Sequence, residues 1–122
     1  MNVWIVTGGV AGFTGVALGA FGAHALRARI PADLLSIFEI GVRYQMYHAL
    51  ALVLLGLGEG RLSSGPARLA GILFSIGIVV FSGSLYALAL TGLRWLGAIT
   101  PLGGLALLAG WATLIVSAAG RR

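Results

Sequence analysis

Arg43, Tyr44, Gln45 and His48 lie within six residues of one another, at the edge of an apolar run. Ionisable and amide side chains are costly in hydrocarbon and are tolerated where they meet partners or line a cavity. Tyr44 and His48 are one helical turn apart and Gln45 flanks them, so a helix here sets these hydrogen-bonding groups on one face. His24, Ser82, Ser84, Tyr86 and Thr100 stand singly in equally apolar surroundings, with Ser75, Ser82 and Tyr86 on one helical stripe. Hydrolysis would need a nucleophile, a base and a group that orients the base. Ser82 or Ser84 with His48 supplies two of these, and no carboxylate is placed to supply the third. His24 and His48 could face each other as paired axial ligands. Yet the chain has only two His and no Cys, and its carboxylates Asp33, Glu39 and Glu59 fall outside the apolar spans, so a closed zinc or di-iron site lacks ligands. No catalytic residue, metal or cofactor is expected. Two readings of the polar groups remain: hydrogen-bonded glue between helices, or a ligand-binding or conducting cluster.

The elements that would carry these groups are membrane helices. Of the 122 residues 59% are hydrophobic and 9% charged, whereas soluble domains carry about 25% charged residues. The eight basic residues are all Arg, scattered singly between apolar runs. This pattern suits anchoring at lipid headgroups, and nucleic-acid binding, which needs a basic face, is not expected. Residues 1–26, 69–93 and 95–120 contain no Asp, Glu, Lys or Arg, and each exceeds the ~20 residues that cross hydrocarbon as a helix. A fourth such run, residues 44–58, spans only ~22 Å at 1.5 Å per residue and must extend past Arg43. The expected fold is an all-α integral membrane bundle of four transmembrane helices, a single domain over residues 1–122, with helices at about 3–26, 43–57, 67–90 and 101–119. The first run is expected to be retained, because no positive segment precedes it although Ala23-His24-Ala25 fits a cleavage pattern.

Gly8, Gly12, Gly15, Gly19 and Gly22 recur at steps of four and three, a stripe that lets another helix approach closely within this chain. Residues 33–42 are amphipathic at helical period and predict a short interfacial helix that turns or continues into the second span; Ser36 and Glu39 there fit a capping box. Residues 56–66 form a Gly/Ser/Pro linker. Thr100 is expected to cap a helix beginning at Pro101, and Arg121 and Arg122 to anchor the end at the headgroups. Four spans put both termini on one side, assigned to the cytoplasm by a near-tie in Arg counts. The end of an odd helix and the start of an even one then share the opposite side. His24, Arg43, Gln45, His48, Ser82, Ser84, Tyr86 and Thr100 are all expected to gather there. Partners would be the lipid bilayer and a homo-oligomer or larger membrane complex.

Four blocks carry a resemblance: Gly19 to Leu26 (GAFGAHAL), Arg43 to Leu52 (RYQMYHALAL), Phe81 to Tyr86 (FSGSLY) and Leu96 to Gly104 (LGAITPLGG). In this order, and over essentially the whole chain, the sequence resembles the YgdD/YwdK-like family of small bacterial inner-membrane proteins of unknown function. The resemblance implies a four-span protein of the bacterial cytoplasmic membrane and supplies no activity, substrate or cofactor.

Overall fold

The computed structural model describes residues 1–120; the anchor expected of Arg121 and Arg122 lies outside the described residues. Four helices follow one another: α1 (Val3–Leu26), α2 (Ala32–Leu57), α3 (Ser64–Thr91) and α4 (Thr100–Ala119), with a short 3-10 turn at Arg94–Ala98 leading into the last. Counting that turn with α4, all four are long and apolar enough to cross a membrane.

Local chemistry sets the helix ends. Asn2 caps α1 by accepting the Ile5 N–H at 3.2 Å, and its Nδ2 donates to the Gly56 carbonyl at 2.9 Å, tying the start of α1 to the end of α2. Pro31 precedes α2, and Asp33 sits in its first turn, where the helix dipole favours an anion. From there α2 runs unbroken to Leu57, so the amphipathic stretch continues into the span rather than turning. Ser36 and Glu39 are therefore inside the helix and cap nothing, a correction that follows from Pro31 having already set the start. Pro66 is accommodated in the first turn of α3. Its last turn closes on Gly92, whose φ of 72° suits a residue without a Cβ. Thr100 is the first residue of α4 and makes no capping bond, because its hydroxyl is engaged elsewhere. Both odd helices contain a five-residue π-helical segment, Leu18–Gly22 in α1 and Ile78–Ser82 in α3.

The helices pack as two antiparallel pairs, α1 with α2 and α3 with α4, joined along α2 and α3. Glycines make these approaches close. A Cβ on Gly8 would stand 2.7 Å from the Ala49 carbonyl oxygen, on Gly15 2.6 Å from Met46 Sδ, and on Gly19 2.9 Å from Val42. The α3–α4 seam is built alike: Gly103 lies against the backbone of Phe81 and Gly110 against the Phe74 ring. Ala51, Leu52, Leu55, Ala70, Phe74 and Leu107 form the main core, and Ala23, Phe38 and Ala89 a smaller one. Val10, Phe13, Leu54, Leu105 and Leu108 point outward to where lipid would lie.

Candidate functional site

Gln45 and His48 are each only 5% exposed, and each is satisfied by different helices. The Gln45 amide nitrogen donates to the Ala11 carbonyl at 2.9 Å and to Thr14 Oγ1 at 2.8 Å, both on α1. Its oxygen accepts the Tyr86 hydroxyl from α3 at 2.6 Å. One side chain on α2 thus ties α1 to α3.

His48 looks the other way. Its Nδ1 is 2.7 Å from the Tyr44 carbonyl, which can only accept, so Nδ1 carries the proton. Nε2 is then the acceptor, and it takes the Trp111 indole N–H from α4 at 3.0 Å. Both partners suit one neutral tautomer and occupy both ring nitrogens. The imidazole sits among rings, with centroids 5.6 Å from Phe74 and 5.8 Å from Trp111.

The serines form two further ties. Ser82 donates to the Gly41 carbonyl at 2.7 Å, joining α3 to α2. Ser84 donates to the Phe81 carbonyl at 2.9 Å, so its single proton is used, and the 2.6 Å contact with Thr100 Oγ1 has Thr100 as the donor. Among the described residues, every buried side-chain polar atom has a hydrogen-bond partner.

The expected gathering in the half opposite the termini is therefore corrected: the groups form separate ties rather than one cluster, and His48 is not in that half, because its neighbour Ala49 packs against Gly8 near the start of α1. Gln45 and Tyr86 meet, and Ser84 and Thr100 meet, whereas His48 pairs with Trp111. Tyr44 contributes its carbonyl to His48 and leaves its ring partly exposed. Arg43 lies exposed on the outside of α2. His24 is exposed and does not face His48: Gly8 packs on Ala49 and Gly22 on Phe38, so His24 lies ~20 Å along α1 from the level of His48, and two residues past Gly22 it is also ~200° around from the glycine face.

Trp111, Thr14 and Asn2 were not among the expected participants. Trp111 had a signal: a tryptophan near the middle of an apolar span carries an N–H that needs an acceptor. Thr14 had a weaker one, since threonine in a membrane helix commonly bonds its own preceding turn, as Thr14 also does to Val10.

Two clefts open to the membrane beside these ties. One, between α2 and α4, has a volume of about 770 Å³ and is lined by Tyr44, Tyr47, His48, Phe81, Leu108 and Trp111 among others. The other, between α1 and α3, has about 540 Å³, with Gln45, Thr14 and Tyr86 in its lining and valines along its walls. Both volumes are in the range of small-ligand sites.

The family described as "Protein of unknown function (DUF423)" matches residues 18–104. The chain is 47% identical to the UPF0382 membrane protein SH2409 of Staphylococcus haemolyticus (strain JCSC1435), over 96% of this chain and 95% of that one. It is 46% identical to the UPF0382 membrane protein YwdK of Bacillus subtilis (strain 168), over 97% of each chain. It is 40% identical to the UPF0382 inner membrane protein YgdD of Escherichia coli (strain K12), over 93% of this chain and 87% of that one. No solved structure matches the chain.

Proposed function

Because the chain belongs to the DUF423 family, whose relatives are membrane proteins of unknown function, we propose that it is a non-enzymatic structural or accessory component of the bacterial cytoplasmic membrane. The observation that carries this reading is the state of the polar groups. Gln45, His48, Ser82, Ser84 and Thr100 are each bound to a neighbouring helix, which suits glue between helices better than a base or nucleophile waiting for substrate. Little chain lies outside the four apolar helices to build an active site in water. Purification in mild detergent is expected to bring down a homo-oligomer or a larger assembly; a clean monomer with no co-purifying partner overturns the reading.

The termini are assigned to the cytoplasm. The chain has no cysteine of its own, so Arg61→Cys in the α2–α3 connection gives one reporter on the same side as the termini. It should react with an impermeant maleimide only after the membrane is opened; labelling of intact cells reverses the orientation.

A second reading, a small carrier or channel, is favoured by the two membrane-open clefts, and their apolar walls point to a lipid-like ligand over protons or ions. Proteoliposome transport that requires Gln45 or His48 would establish it, and transport indifferent to both removes it.

A further inference from the structure

A groove of about 610 Å³ opens between α1 and α3 at the end where the termini and the α2–α3 connection lie. Its walls are apolar: Val3 and Trp4 from α1, Leu55 from α2, Leu62, Ala67 and Ile72 from the connection and α3. Two charges of opposite sign share its lining, Glu59 and Arg68. Glu59 is 3.5 Å from the Asn2 amide nitrogen, which is itself fixed on the Gly56 carbonyl. Among the described residues, Arg68 has no ion-pair partner.

One helical turn deeper, the α1–α3 cleft described above takes over. Val6 and Thr7 follow Val3 on α1, Ser75 follows Ile72 on α3, and the cleft reaches Leu18 and Tyr86. Together the groove and the cleft span α1 from Val3 to Leu18, ~22 Å at 1.5 Å per residue, more than the ~15 Å that half of a ~30 Å hydrocarbon layer provides. End to end, the two line an apolar path, or furrow, with one positive and one negative side chain, Arg68 and Glu59, at its membrane-surface end.

We propose that this furrow holds one amine-bearing zwitterionic phospholipid, with its phosphate against Arg68, its ammonium against Glu59 and an acyl chain between α1 and α3. Charge complementarity selects this occupant. An anionic phospholipid would satisfy Arg68 but meet repulsion from Glu59, and an uncharged amphiphile would gain nothing from either of these exposed charges. A transmembrane helix of a partner would fill the slot without using the two charges. The proposal goes beyond the structural role above; it deepens the lipid-ligand part of the second reading at the α1–α3 cleft and needs binding alone, so a failure of transport leaves it standing.

Protein freed of lipid in detergent, then exposed to equal amounts of phosphatidylethanolamine and phosphatidylglycerol, would be examined by native mass spectrometry. One phosphatidylethanolamine per chain should be retained in several-fold preference. Glu59→Gln should erase the preference while phosphatidylglycerol is still held. Arg68→Gln should weaken retention of both lipids. Val10→Phe, at an exposed position in the furrow wall, should weaken both and leave the preference intact. Helical content by circular dichroism identifies any variant that fails to fold, and if Arg68→Gln is one, the other two variants decide. Equal retention of the two lipids by the unaltered protein, or a preference that survives Glu59→Gln, overturns the proposal.

Discussion

Gln45 and His48 sit three residues apart on α2, equally buried, and hold the bundle by different means. Gln45 works through hydrogen bonds: three of them, reaching two helices, made by an amide that carries no charge. His48 works mainly through packing: one bond to another helix, set in a box formed by Phe74, Trp111 and the Tyr44 ring. The difference shows what polar residues do in a small membrane bundle. Each is answered by whatever lies opposite its own angle on the helix, so nearby polar residues need not share a site. Because α2 is bonded to α1, α3 and α4 through these two side chains, it is the axis of the fold.

Gln45→Leu should give the largest effect, since it keeps the volume and removes all three bonds. At ~0.6 kcal/mol for an average interhelical bond in a membrane and ~1 kcal/mol for a typical net hydrogen bond, the loss should be about 2–3 kcal/mol. His48→Leu, which loses one interhelical bond and keeps an apolar filler among the rings, should cost about 1 kcal/mol. Reversible unfolding in mixed detergent micelles, followed by circular dichroism, measures both. A His48 variant as damaging as the Gln45 variant would mean that the two residues do not differ as described.

Much of the architecture could be read from the sequence because charge is so expensive in hydrocarbon that charge-free runs mark the spans. The amphipathic stretch before Arg43 could be recognised as helical, but whether it turned or continued depended on packing: in the unbroken α2, Gly41 lies against the Tyr86 ring, where a Cβ would come within 2.7 Å, a contact invisible in the pattern of apolar residues. Residue types marked Gln45 and His48 as groups that must find partners. The partners themselves could not be read, because they depend on how each helix is rotated against its neighbours. His24 is the instructive case. Its angle relative to the glycine stripe was available in the spacing and places it away from α2, but its depth was not: the register that sets Gly8 against Ala49 and Gly22 against Phe38 leaves His24 ~20 Å along the helix from the level of His48, so the pairing fails in depth as well as in angle. Trp111 was hidden for the opposite reason: tryptophan is read first as an interfacial anchor, and only its position near mid-span reveals an N–H in need of an acceptor.

The separation of the two ties can be tested without unfolding anything. The Trp111 indole N–H donates to His48 Nε2, so its proton resonance should lie downfield and move upfield in His48→Leu. In Gln45→Leu, whose partners are on α1 and α3, the same resonance should stay within ordinary scatter. Heteronuclear NMR of indole-labelled protein in micelles reads both variants. A shift of the Trp111 signal in the Gln45 variant would show that the two ties share one strained network and would erase the comparison. Trp111→Phe keeps the ring contact with Phe74, whose centroid is 5.0 Å away, and loses the N–H, so it should cost about 1 kcal/mol, mostly for the unpaired imidazole nitrogen.

The smallest effect is expected at Ser84 and Thr100, which extend the comparison to the α3–α4 seam. Ser84 spends its proton on the Phe81 carbonyl of its own helix, so the bond between helices depends on the Thr100 hydroxyl donating to it. Ser84→Ala and Thr100→Val should each cost about 0.5 kcal/mol, with a coupling of about 0.5 kcal/mol in a double-mutant cycle. Thr100 stands in the first turn of α4, where its unpaired hydroxyl can turn to water or headgroups, and this keeps the penalty below that at Gln45. A coupling near zero would class Ser84 with Ser75, whose hydroxyl only folds back on the Gly71 carbonyl one turn earlier. The α3–α4 seam would then rest at that depth on Gly103 packed against Phe81, with hydrogen bonding between helices concentrated on α2.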